Sequence, residues 1–393
     1  MSDILSQPGG RGPRLWQRLA AVAAVLVLAG VLIVEHLPHH PPAKARSSPA
    51  AVTVVPLPAP AGPAGVSGAA MSPADSLRLL TSGQRPTWLW PATGRVQPVG
   101  GLPPDGPGYQ FIRVAGGWAV QAGSAARLRC GSCAGSRLPV YFLPDQAQSV
   151  TLAGTADGVA PGAAAGSLWL TSYPQGADMS TEAGTAQEIS TAGAPAGPRL
   201  RLPAGYAIFQ GTDVGLLLAP AAPSGTAPDE LWNPSAPHAA SRTFAGVLAA
   251  SAVAIAWATP CDPLCRVEVL DLATGRPTVV RLPAGSSAVN AAFSPDGKYL
   301  ALQVSSTNVG DDGALAMALD VVSLGGASPA VAQAFRVSSD ALVGFGWPDS
   351  GDDLVAELNF IAKIQIASWQ PGAHRLAVAA MSPGAESASI VTG

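Results

Sequence analysis

Two hydrophobic patterns divide this chain. From Leu19 to Val34 the sequence LAAVAAVLVLAGVLIV is an unbroken, uncharged apolar run. As a helix it would be about 24 Å long, slightly short of the ~30 Å hydrocarbon layer of a membrane. Arg18 and His36 at its ends can snorkel and Trp16 can sit at the interface, which closes the gap. Beyond about residue 85 the apolar positions come instead in short alternating runs broken by turn residues, the pattern of half-buried strands. The clearest unit is VNAAFSPDGKYLALQV, Val289 to Val304. VNAAF predicts a strand, Ser294-Pro295-Asp296-Gly297 a tight turn, and YLALQV the next strand. Proline pre-sets the first φ of such a turn and glycine takes the positive φ. Two more strands follow, in ALAMALDVVSL from Ala314 and AVAQAFRV from Ala330. The next unit reads LVGFGW, a turn at Pro348-Asp349-Ser350-Gly351, then DLVAEL, AKIQIASW and HRLAVAA.

The unit repeats. Arg201-Leu-Pro-Ala-Gly205 recurs as Arg281-Leu-Pro-Ala-Gly285, and Ala92-Thr-Gly-Arg95 recurs as Ala273-Thr-Gly-Arg276. The two separations approximate two and four periods of about 40–45 residues, the length of a four-stranded propeller blade. Inner strands are expected near Tyr109, Val159, Tyr206, Gly246, Val289 and Leu342. Thr87–Trp90 and Val96–Val99 read as the outer two strands of one more unit, and Ser387 to Val391 as its inner strand. A blade shared by the two ends would close the ring and remove exposed edges. The expectation is an all-β, seven-bladed β-propeller, with six or eight blades as alternatives.

AAFSPDGKYLALQ (Ala291 to Gln303), GFGWPDSGDDLVAEL (Gly344 to Leu358) and VLDLATGR (Val269 to Arg276) resemble the WD40-like and TolB-like β-propeller repeats. The Trp-Asp dipeptide of WD40 proper is absent. The resemblance implies a bacterial exported propeller that serves as an interaction platform, and it names no reaction.

Arg11, Arg14 and Arg18 precede the apolar run, which points the N-terminus inward. The division expected is a cytoplasmic tail at 1–18, a transmembrane helix at 19–37, a linker at 38–84 and the propeller at 85–393. A cleaved signal peptide is the rival, but its candidate site, Ala43-Lys44-Ala45, lies well past the run and behind Pro41-Pro42. Either reading exports the remainder. The linker, rich in Pro, Ala, Gly and Ser, is expected to be extended and disordered. His36, His39 and His40 there suit linker polarity better than a metal site, because Pro38, Pro41 and Pro42 hold them apart.

Composition supports the turn-rich reading. Gly numbers 44 and Pro 38, and only 12% of residues are charged. The net charge of −3 offers no bulk attraction to nucleic acid, so none is expected as a partner. Four cysteines form two local pairs, Cys130/Cys133 and Cys261/Cys265, each between the second and third strands of its unit. Three units apart in a ring, they are too distant to share one metal. Two small disulfides clipping loop tips are the simplest account in an exported domain; zinc, redox activity and free thiols are the alternatives. In a propeller such loops share a face with the blade-to-blade crossovers. Asp262, Asn308, Asp311 and Asp312 fall there too, making it the candidate binding face. Calcium on Asn308, Asp311 and Asp312 competes with plain solvation.

Only His238 and His374 follow the linker, and the H-E-x-x-H, G-x-S-x-G and P-loop motifs are absent. The tryptophans at 88, 90, 118, 169, 232, 257, 347 and 369 suit packing between blades better than a stacking face for quinone or glycan. The expected function is non-catalytic, without cofactor: a membrane-tethered extracytoplasmic propeller binding a protein or cell-envelope ligand. A propeller hydrolase or lyase acting on an extracellular small molecule, and the exodomain of a membrane sensor, are the alternatives.

Overall fold

The computed structural model describes residues 51–53, 77–82, 85–103, 108–123, 135, 137–221, 227–259, 265–309, 315–325, 330–338, 342–348, 353–360, 363–370 and 377–380. The expected transmembrane segment and the expected closing strand at 387–391 lie outside them. Among the described residues no helix is long and apolar enough to cross a membrane.

The described strands form seven sheets in chain order. β1 is Ala51–Thr53, and the first blade holds β2 (Leu79–Thr81), β3 (Thr87–Trp90) and β4 (Arg95–Pro98). The second holds β5 (Tyr109–Val114), β6 (Gly117–Ala122), β7 (Leu138–Pro144) and β8 (Thr151–Ala156). The third holds β9 (Gly158–Pro161), β10 (Ser167–Ser172), β11 (Thr185–Ser190) and β12 (Pro195–Arg201). The fourth holds β13 (Tyr206–Thr212), β14 (Gly215–Pro220), β15 (Asp229–Trp232) and β16 (Arg242–Phe244). The fifth holds β17 (Val247–Ala250), β18 (Ala254–Thr259), β19 (Arg266–Asp271) and β20 (Pro277–Arg281). The sixth holds β21 (Ser286–Phe293), β22 (Tyr299–Val309), β23 (Leu315–Ser323) and β24 (Ala330–Ser338). The seventh holds β25 (Leu342–Gly346), β26 (Leu354–Phe360), β27 (Lys363–Trp369) and β28 (Ala377–Ala380). Blades two to seven are antiparallel meanders. β9 touches both β5 and β13, and β21 touches both β17 and β25, so the first strands converge on the axis.

The two sequence repeats are two recurring joints. RLPAG is the crossover from one blade to the next, in the third-to-fourth and fifth-to-sixth steps. Its leucine is buried (Leu202, Leu282), and its glycine adopts positive φ, 78° at Gly205 and 71° at Gly285. Ser286 N donates to Pro283 O, closing that turn. ATGR is the hairpin between the last two strands of the first and fifth blades, where Gly94 N donates to Trp90 O and Gly275 N to Asp271 O. The SPDG turn behaves as its chemistry predicts: Gly297 N donates to Ser294 O at 2.9 Å, and Asp296 accepts from Lys298 N at 3.0 Å.

Blade-to-blade burial holds the ring together. Trp88 and Trp118 pack with Leu80 and Leu143 between the first and second blades. Trp169 and Trp232 lie between the third and fourth, Trp257 between the fourth and fifth, and Trp347 and Trp369 between the sixth and seventh. Leu77, Leu79 and Leu89 of the first blade pack on Val355 and Ile366 of the seventh, which closes the circle. The tryptophans are therefore mainly core. At about 25 cal/mol per Å², burying one aromatic side chain outweighs any loop contact.

Two features correct the expected linker boundary at 84. Leu77, Leu79 and Leu80 are at most 1% exposed, and β2 pairs with β3, so the propeller begins by residue 77. Alternation was invisible there because both faces of this short strand are covered. In addition, β1, inside the expected linker, pairs in parallel with β20, Val52 facing Val280.

Candidate functional site

The face bearing the second-to-third-strand loops and the crossovers is built from contacts among blades two, three and four. Asp157, in the crossover from β8 to β9, is its hub. Its carboxylate accepts Arg137 N at 3.0 Å and Tyr173 N at 2.8 Å. Those amides belong to loops of different blades, so one side chain ties them together. Arg137 holds φ at 32°, a conformation that favours glycine, and its amide is tied to this carboxylate. Gly135 lies so close to the next loop that a Cβ there would meet Gln175 Cα at 2.5 Å. Only glycine permits that approach.

The 173–184 loop is itself pinned to the fourth blade. Tyr173 is buried, and its hydroxyl donates to Tyr206 O at 3.0 Å. Burial first, and then the negative charge of Asp157, push the Tyr173 phenol up to about 12. Gly205 N donates to Glu182 O and Leu202 N to Gly184 O. Asp178 accepts both Ser180 N and Ser180 Oγ, bonds that lower its pKa and shape the loop tip. Further round, Asp229 accepts Val247 N at 3.1 Å across the next crossover, and burial raises its carboxyl above the usual range. Cys265 O accepts Leu282 N, joining the fifth blade's loop to its crossover.

A second feature lies on the axis. The inner strands of blades four to seven each carry a β-bulge against their second strand. The extra residues are Phe209, Leu248, Val289 and Val343, an apolar residue in the same register position in four successive blades. A bulge leaves its extra residue out of the ladder and re-aims it. Phe209 and Val289 remain 44% and 48% exposed although they sit on inner strands, as residues facing a central channel would. Along the six described inner strands, Arg113 is the one charged residue. It is held by Asp145, with the second bond of the pair at 2.9 Å, and stacks over Trp118. Apart from Arg113 the described inner strands are thus uncharged, and the exposed bulge residues Phe209 and Val289 form an apolar collar on the side of the fourth and sixth blades.

Of the residues expected at this site, Cys130, Cys133, Cys261, Asp262, Asp311 and Asp312 lie outside the described residues. Cys265 is disulfide-bonded. Asn308 lies near the end of β22. His238 is exposed after β15, and His374 lies outside the described residues. Among the described residues no group of three or more His, Cys, Asp and Glu is placed to hold a metal ion. The sequence reading missed Asp157, the Tyr173 loop and the bulged collar. A lone aspartate before a glycine and single apolar residues on short strands carry no signal until strand pairing is known.

No family model matches the sequence, and no curated protein matches it. Solved structures similar to it include TolB from Acinetobacter baumannii, at 10% identity over 82% of this chain and 68% of that one, with a TM-score of 0.38. The Cps50 (Swd1) beta-propeller domain from Myceliophteria thermophila has 10% identity over 68% and 85% of the two chains, at 0.42. An acylaminoacyl peptidase has 8% identity over 79% of this chain and 50% of its own, at 0.47.

Proposed function

We propose that this chain is a non-catalytic β-propeller, tethered to the cell membrane by residues 19–37 with its N-terminus cytoplasmic, and that it binds a protein or cell-envelope ligand outside the cytoplasm. The ligand contacts the interlocked loop face and the mouth of the channel on that face. The observation that carries this reading is the Asp157–Tyr173–Tyr206 linkage, which ties loops of the second and third blades to the first strand of the fourth before any ligand arrives. A pre-ordered loop face loses little conformational entropy on binding. The apolar collar of Phe209 and Val289 supplies area to bury, and the near absence of charge along the described inner strands favours an uncharged group at the axis. In this reading, disulfides within Cys130/Cys133 and Cys261/Cys265 further restrain two loops of the same face.

The test is site-specific photocrosslinking in intact cells with the full-length protein. Probes at Gln175 and Phe209 should yield an adduct with an envelope component. Probes at Val214 and Asp296, in turns of the opposite face, should not. Equal adducts on both faces, or adducts on the Val214 face only, would overturn the assignment. Topology is read separately: alkaline phosphatase fused after Gly393 should be active, and an inactive fusion would place the propeller in the cytoplasm.

A further inference from the structure

The outer edges of propeller blades are open strand edges, and such edges invite pairing with other chains. The described outer strands of this ring are blunted to different degrees. β4 is four residues long and carries Arg95 and Pro98. β12 carries Pro195, Pro198, Arg199 and Arg201, and β16 is three residues long with Arg242. β8 (Thr151–Ala156) and β28 (Ala377–Ala380) hold neither proline nor charge, and β20 holds them only at its ends. The β20 sequence is Pro-Thr-Val-Val-Arg, uncharged until Arg281, with Val279 and Val280 both buried. It is also the edge that the chain covers: β1 adds to it in parallel, Ala51 facing Val279, Val52 facing Val280 and Thr53 facing Arg281. Among the described sheets it is the one whose outer edge carries an added strand.

We propose that the outer edge of the fifth blade is a strand-acceptor site for an extended apolar segment, filled in the intact protein by the chain's own Ala51–Thr53. The site recognises backbone, as in β-strand addition, with the parallel register setting the direction of the guest. The occupant lies in AAVTVV, residues 50–55, a β-branched, uncharged stretch bounded by Pro49 and Pro56. Proline at each end limits the guest to the length that the edge accepts. The acceptor works in cis because the segment and the edge share one chain, which gives a high effective concentration. When the segment is prevented from pairing, the edge takes the same sequence from outside. The proposal is independent of the ligand-binding reading, since β20 lies on the outer rim.

The experiment uses the full-length protein and its Val52→Pro variant, which lacks the amide at the centre of β1 and leaves the propeller sequence untouched. Hydrogen exchange in the peptide spanning 277–282 should be at least about tenfold faster in the variant, with exchange in β12 unchanged as control. A labelled peptide of residues 49–55, Pro-Ala-Ala-Val-Thr-Val-Val, should bind the variant and restore slow exchange, and should bind the wild type at least about tenfold more weakly. A Thr53→Cys, Arg281→Cys double variant should crosslink within one chain, because those positions are register partners. Unchanged exchange at 277–282 in the Pro variant would overturn the proposal. So would a peptide that binds both proteins equally or neither, or a crosslink that forms only between chains.

Discussion

Replacing Asp157 with Asn tests whether the loop face is held by one carboxylate. The native side chain accepts two backbone amides from different blades, at 3.0 and 2.8 Å. Bonds of this kind to a charged acceptor contribute about 1.5–3 kcal/mol each. Asparagine keeps one acceptor oxygen and turns an NH2 toward the second amide, so one bond is lost and an amide is left facing a donor. The expected loss is about 2 kcal/mol, or about 30-fold in the local opening equilibrium. It should be local, because the blades are held by apolar packing that Asp157 does not join. Hydrogen exchange in a peptide covering 170–184 should accelerate by about that factor, while β6 and β14 stay unchanged. A second readout is the Tyr173 phenol. Burial and the Asp157 charge together hold it up to about 12, burial being the larger cause. Without the charge, an ultraviolet titration should show this phenol ionising lower than in the wild type and still above the ordinary 10.0. Subtracting a Tyr173→Phe variant assigns the signal. If the 170–184 amides exchange at the wild-type rate, or the core strands loosen equally, the hub argument fails.

Asp145→Ala should destabilise the fold by about 3 kcal/mol, because it leaves the Arg113 guanidinium, 17% exposed, without its carboxylate; a urea midpoint within error of the wild type would refute this. Asp229→Asn should behave in the opposite way. Burial raises the Asp229 carboxyl above 3.8, so its contribution to stability is complete below that value and is lost as pH rises through the raised native value. The variant keeps an acceptor for Val247 N, so it should equal or exceed the wild type at about pH 7, with the gap closing near pH 3. Urea midpoints at both pH values check the sign, and a variant weaker at pH 7 would reverse it. Replacing Cys130, Cys133, Cys261 and Cys265 by Ser should leave the β-sheet circular dichroism intact and cost about 1–4 kcal/mol in total, since short loops gain little from closure. A protein that fails to fold without them would show that the clips hold the ring itself.

Much of the ring was legible in the order of residues. Turn chemistry is local: SPDG, RLPAG and ATGR each need a proline or a positive-φ glycine at a given position, so they mark their joints wherever they occur. Alternation is local too, and it located the strands of the sixth and seventh blades to within a few positions. What stayed hidden was whatever depends on which strands meet. Leu77 to Thr81 carries no alternation because the neighbouring blades bury both its faces, and the ring must exist before those faces do. Ala51–Thr53 reads as linker until β20, more than half the chain away, offers an uncharged edge in register. The bulged collar arises from a mismatch between paired strands, a property of two sequences and of neither alone. Asp157 became a hub only when a crossover brought Arg137 and Tyr173 to it. Sequence by itself determined the repeat, the turns and the hydrophobic strands, because these rest on contacts between near neighbours. The tertiary structure alone decided the face, the collar and the covered edge, because these rest on distances that close only when the blades assemble.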